Sequence, residues 1–264
     1  MRARLRLLRI ASLLLLLLFP SGAQAFEKFT VGGGLLGVAG ANFLDKPSDK
    51  TIALPNGQRG ETPTYPGFAG LTAGFGFFAE VRVIDYVGVE FDVFRTSDKG
   101  SGDLTLTVNG EQRKWNITVG HAAWHLPLLI KGVIPGKIVQ PSLFLGPEFV
   151  IPDGPEVKGA PEPGATLGGE TLSTTYDAFS EGYAMFCAGF GVEFKLPLPK
   201  VDVRIPLSIR GGYNPGVEDA LEDRAKYEVK PGSTDPNIKA ITKIEYKTTW
   251  QYQAIATLGA SIHF

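Results

Sequence analysis

From Trp250 to Phe264 every second residue is apolar: Trp250, Tyr252, Ala254, Ala256, Leu258, Ala260, Ile262 and Phe264. The positions between them, Gln251, Gln253, Ile255, Thr257, Gly259, Ser261 and His263, are polar or small with one exception. Period two over that length predicts a strand whose faces meet different environments. The pattern recurs, giving eight predicted strands at 27–40, 67–83, 86–97, 114–130, 137–151, 179–197, 201–214 and 248–264. Several are longer than the five or six residues usual in soluble sheets, and long enough to cross a tilted bilayer path.

The faces separate in most of these strands. In the second, Leu71, Ala73, Phe75, Phe77, Ala79, Val81 and Val83 oppose Thr72, Gly74, Gly76, Glu80 and Arg82. In the seventh, Val201, Val203, Ile205, Leu207 and Ile209 oppose Asp202, Arg204, Ser208 and Arg210. The fourth breaks step: Trp115, Ile117 and Val119 share one parity, and Trp124, Leu126 and Leu128 the other. A bulge near Gly120 would put all six on one face and turn His121 and His125 to the opposite one. Glycines set among Phe, Val and Leu (Gly32, Gly33, Gly34, Gly37, Gly189 and Gly191) suit strongly curved strands.

The connectors alternate in length. Those at "IDY", "KGVIPG" and "LPLPK" are short, while 41–66, 98–113, 152–178 and 215–247 are long. In an antiparallel meander, alternate connectors lie at the same end. The predicted fold is therefore all-β: an eight-stranded antiparallel up-and-down transmembrane β-barrel with four long extracellular loops and short periplasmic turns. Asn109-Gly110 predicts a tight hairpin, so strands three and four should run on beyond the membrane as a ribbon. The Pro- and Gly-rich 152–178 stretch predicts irregular chain, and "VEDALEDRAKYE" one or two helical turns.

The N-terminal "MRARLRLLRIASLLLLLLFPSGAQAF" joins four arginines, a short apolar run and an Ala-Gln-Ala site. This is the pattern of a secretory signal peptide spanning 1–25, with the barrel domain at 26–264. Without Arg2, Arg4, Arg6 and Arg9, 22 basic residues face 27 acidic ones. No basic stripe points to nucleic acid, and one cysteine, Cys187, excludes an intrachain disulfide framework. Thirty-three glycines beside seventeen phenylalanines and eight tyrosines fit closely packed strands.

The segment "WHLPLLIKGVIPGKIVQPSLFLGPEFVI" carries Pro127-Leu128-Leu129, Lys131 and Gly146-Pro147. It resembles the outer-membrane β-barrel domain family of Gram-negative bacteria, the small OmpA/OmpX-like or PorT-like barrels. The resemblance implies an outer-membrane location after cleavage near Ala25, outer-membrane lipids and lipopolysaccharide as surroundings, and insertion by the barrel assembly machinery. Leu258, Ala260, Ile262 and Phe264 resemble the family's C-terminal assembly signal. An extracellular or periplasmic protein partner fits the long loops. The family's fold carries no specific activity.

Strand parity sends Glu80, Arg82, Glu90, Asp92, Glu148, Glu193, Lys195, Asp202, Arg204 and Arg210 inward, with His121 and His125. The interior of an eight-stranded barrel is filled by side chains, and buried charges must pair. The prediction is a mostly closed polar interior in a structural or surface-interaction protein, with no cofactor, metal or catalytic residue. Two histidines fall short of a three-ligand metal site, and no serine is placed beside them. Three alternatives stay open: a small-solute channel, an outer-membrane lipid-modifying enzyme, and a soluble periplasmic lipid-binding barrel. Phe29, Phe94, Trp115, Tyr213, Trp250, Tyr252 and Phe264 are expected in interfacial girdles.

Overall fold

A computed structural model describes residues 29–44, 50–53, 59–62, 67–83, 86–108, 111–167, 170–171, 175–199, 201–217 and 243–264. The predicted signal peptide, the Asn109-Gly110 turn and most of the 215–247 connector, including its predicted helical turns, lie outside the described residues.

Eight long strands form one antiparallel sheet: β1 (Phe29–Leu44), β2 (Phe68–Val83), β3 (Val87–Val108), β4 (Glu111–Val133), β5 (Val139–Lys158), β6 (Tyr183–Lys195), β7 (Asp202–Tyr213) and β8 (Tyr252–His263). Each pairs with its neighbours in sequence, and β8 returns to pair β1, for example Leu35 with Ala260 and Ala41 with Ala254. Phe264 completes the seam, its N–H donating to the Val31 carbonyl at 2.9 Å and its carbonyl accepting from Val31 N–H at 3.1 Å. The sheet is thus a closed, barrel-like ring with no open edge around its circumference.

Alternation decides which residues face in. On β8, Gln253, Ile255, Thr257, Ser261 and His263 are buried while Tyr252, Leu258, Ile262 and Phe264 are exposed. The outward faces of the other strands are equally apolar: Val31, Leu35 and Phe43 on β1, Leu71, Phe75 and Phe77 on β2, Phe186, Phe190 and Phe194 on β6. The geometry settles what the sequence left open: the apolar face is outside and the charged face inside.

The outer face changes character along the strands. On β3 it is Val87, Val89, Phe91 and Val93, then Arg95, Ser97 and Lys99. On β5 it is Leu145, Phe149 and Ile151, then Asp153. Arg95 sits at that boundary, its guanidinium 5.3 Å from the centre of the Trp124 ring and 3.5 Å from an Asp153 oxygen.

Three expectations need correction. First, the connector counted as 98–113 is strand except at its tip, which is the ribbon that Asn109-Gly110 predicts and moves only the strand boundaries. β3 and β4 stay paired from Val87–Gly132 to Val108–Glu111, and the connector shrinks to two residues. Second, β4 does not change face at Gly120. Trp115, Ile117 and Val119 point inward with His121 and His125, while Trp124 and Leu128 point out. A register shift does occur there, but Gly120 pairs with Glu156 and Ala122 with Asp153, so the extra residue is on β5. Gly154, at φ +59°, accommodates it. Third, Trp115, Trp250 and Phe94 are interior residues and not girdle aromatics. Tyr213, Tyr252 and Phe264 do face outward.

Inside, the ring is layered. Toward the long connectors an apolar cluster of Leu44, Phe68, Leu104, Trp115, Ile117 and Trp250 fills it, with Tyr246 packed edge-on to Phe68 at 5.9 Å. Two connectors meet over this cluster, 175–179 pairing in parallel with 243–247. Charged side chains occupy the opposite half. On one wall Leu36, Val38, Phe78, Phe94 and Ile255 pack together, which explains the single apolar exception in the β8 alternation.

Candidate functional site

The charged half of the interior is one connected network. Lys131, at the end of β4, points its Nζ to Glu90 at 2.6 Å, Glu193 at 2.7 Å and Glu80 at 3.1 Å. Arg82, two residues along β2 from Glu80 and so on the same face, pairs with Glu80 and Glu193 and donates to Gln140 Oε1 at 3.2 Å. Arg210 binds Asp92 and donates to Glu90 at 2.8 Å. Arg204 reaches Gln140 at 3.1 Å, Glu193 at 3.2 Å and Asp202 at 2.7 Å. Lys131 and Arg210 also flank the Phe144 ring, at 6.0 and 5.2 Å.

Glu80, Arg82, Glu90, Asp92, Glu193, Arg204 and Arg210 are buried in this network. Lys195 and Asp202 form its outer end: their ion pair at 2.9 Å sits at the short-connector rim, with the lysine side chain 38% exposed. Six strands, β2 to β7, contribute side chains to this network, which sequence separation alone does not reveal. A cavity of about 20 Å³ lies beside Phe144 and Glu90, room for about one water molecule.

His121, His125 and Glu148 stand apart, one layer toward the long connectors. His125 is a bridge: Nδ1 lies 2.5 Å from Glu148 Oε1, Nε2 lies 2.9 Å from Thr96 Oγ1, and the ring stacks on Phe94 at 4.7 Å. Cys187 donates its S–H to the other Glu148 oxygen at 3.0 Å. The hydroxyl–imidazole–carboxylate order is that of an acid–base relay, with a threonine where no serine was placed. Thr96, His125 and Glu148 are each at most 2% exposed, so among the described residues the relay faces other side chains and not solvent. His121 Nε2 lies 3.2 Å from Asp98 Oδ2 without hydrogen-bond alignment. Asp98 accepts instead from Thr72 at 2.6 Å and from the Trp250 indole at 3.1 Å. At the opposite rim Ser261 and His263 meet at 3.0 Å.

Sequence reasoning left out two central charges. Lys131 enters the sequence reading only through the family resemblance of its segment, although its odd parity matches His125. Asp98 lies one residue beyond the predicted bound of strand three at 97, and so falls outside the inward set. Among the described residues no group of three His, Cys, Asp or Glu side chains is arranged to hold a metal ion, and no helix is long and apolar enough to cross a membrane.

No protein-family model matches the chain, and no curated protein does. Among solved structures, the N-terminal β-barrel domain of Pseudomonas aeruginosa OprF is similar over 88% of this chain and 99% of that domain. The identity is 10% and the TM-score 0.31, a likeness too faint to carry an argument.

Proposed function

We propose that this protein is an integral outer-membrane β-barrel with a closed polar interior, serving a structural or surface-interaction role. One observation carries the reading. The ring exposes Leu, Val, Ile and Phe on all eight strands and buries Glu80, Arg82, Glu90, Asp92, Lys131, Glu148, Glu193, Arg204 and Arg210 inside. A monomer in water rarely exposes a continuous apolar surface beyond a few hundred Å². In hydrocarbon the arrangement is favourable, and a ring without edges is one of two backbone solutions there. The Arg95–Trp124 pair then stands at the outer interface, where aromatic and cationic side chains meet headgroups.

In this reading residues 1–25 direct export and are removed, the short connectors and both ends of the ring chain face the periplasm, and the long connectors face outward. Outer-membrane lipids and lipopolysaccharide surround the belt. The barrel assembly machinery takes hold of β8 through Leu258, Ala260, Ile262 and Phe264. The interior ion pairs act as a plug, since the ring bore at Lys131 is filled by side chains.

Two measurements test this. The protein should be recovered from membranes only with detergent. The purified protein in a planar bilayer should give no stable porin-sized conductance. Reproducible large steps would refute the closed interior.

A further inference from the structure

Above the ion-pair network lies a layer of buried polar side chains with unmet hydrogen-bonding groups. Asn42, wholly buried, leaves both amide atoms without a partner, and Gln253 leaves its Nε2. The register joins Cys187, Gly212, Gln253, Asn42, Gly70 and Gly100 in one row across β6, β7, β8, β1, β2 and β3. Asp98 is the next inward position on β3, with His121 opposite it on β4 and a ring nitrogen, Nδ1, also unmet. A buried polar group left unpaired costs about 1–3 kcal/mol. The layer therefore suits an occupant more polar than the one it holds.

That occupant is the Trp250 indole. Its ring lies against Gly100, where a Cβ would come within 2.7 Å of Cη2, and 5.9 Å from the His121 ring. Its N–H donates to Asp98 Oδ2. An indole has one donor and no acceptor, so it can answer one group in the layer. Trp250 joins the 243–247 strand, which is held over the ring by pairing with 175–179, to β8. Its carbonyl accepts from Asn214 Nδ2 at 3.2 Å, and Gln251 beside it bonds Asn214 and Phe43. The indole therefore leaves the layer by turning about its own side-chain bonds toward the long-connector end. Withdrawal along that path leaves the ion pairs around Lys131 untouched.

The geometry points to a binding site for a small zwitterion of amino-acid size, with Trp250 as its resident stopper. With the indole lifted, Asp98 Oδ2 loses its donor and accepts from the ligand ammonium. The amide N–H groups of Asn42 and Gln253 donate to the ligand carboxylate. A simple cation would leave those amides unmet, and a simple anion would face Asp98 with no compensating donor. The inference rests on the reading of the ring as a barrel with this end outward, and adds solute capture from outside to it.

Cys187, the chain's one cysteine, lies in the same row and reports access to the layer. Full-length protein refolded in detergent micelles would be treated with a small charged methanethiosulfonate reagent. Trp250→Ala removes the stopper, and Gly100→Ala pushes it from its seat without removing it. Both should label Cys187 at least about tenfold faster than the parent, equivalent to about 1.4 kcal/mol of opening, while keeping the heat-modifiable mobility of a folded barrel. Millimolar glycine should slow labelling of Trp250→Ala, and methylamine or acetate should not. Unchanged labelling in both folded variants would overturn the proposal, as would opening without protection by glycine. Loss of the folded mobility in both variants would also overturn it, because a displaceable stopper cannot be required for the fold. Membrane residence is measured separately, so failure of the barrel reading is distinguishable from failure of the site.

Discussion

Lys131 Nζ lies 2.6 Å from Glu90 Oε2, with both side chains inside the ring and Glu80 and Glu193 closing round the same ammonium. A lysine held by three carboxylates from three other strands pins those strands at one level. Removing one partner of a buried ion pair costs about 3–5 kcal/mol, because the remaining charges are left without compensation. Lys131→Met should lower the unfolding free energy in lipid vesicles by about that amount, as measured by urea titration. Adding Glu90→Gln should recover part of the loss. An equal loss in single and double variants would mean that the lysine acts through packing on Phe144 and not through charge.

Phe190 on β6 faces outward at mid-strand, paired across to Leu143 and Ile209. If that face meets hydrocarbon, Phe190→Arg should cost about 2–4 kcal/mol of folding free energy in vesicles. In a water-facing position the same change would cost little or raise solubility. Comparing folded fractions in vesicles across a urea series distinguishes the two.

The two faces of β2 and β7 were legible from alternation alone, and so was the meander from connector lengths. What alternation cannot convey is which face is enclosed. The apolar residues Trp115, Ile117 and Val119 therefore read as outward by their likeness to Trp124, which requires a bulge at Gly120 that β4 does not have. They are apolar because β4 passes from the charged half of the ring into the apolar layer under the long connectors. The true shift is on β5, where Gly154 signals it through a positive φ that no sequence pattern displays. The paired acids and bases were legible as inward residues, but their partners were not. Arg210 meets Asp92 across 118 residues of chain, a contact set by ring closure.

Phe264 is 87% exposed and completes the β1–β8 seam through its backbone. Phe264→Ala leaves both backbone hydrogen bonds available, so refolding in vitro should change by less than about 1 kcal/mol. In cells, insertion should fall sharply if the assembly machinery grips this side chain. Heat-modifiable, membrane-inserted protein would be quantified in both settings. An unchanged inserted fraction in cells would remove the assigned role of Phe264, and an equal loss in vitro would reassign it to stability.

The chain's three tryptophans divide between the two surfaces: Trp124 is 42% exposed on the outer wall, whereas Trp115 and Trp250 are buried inside. Fluorescence quenching by lipids brominated on the acyl carbons nearest the headgroup, the depth at which the Arg95–Trp124 pair stands, therefore reads directly whether the outer wall lies in the bilayer. Protein refolded into brominated vesicles should show quenching that disappears in Trp124→Phe, leaving an unquenched signal from the two interior rings. Quenching that persists in Trp124→Phe, or none in the parent protein, would contradict a barrel with its apolar face in the membrane.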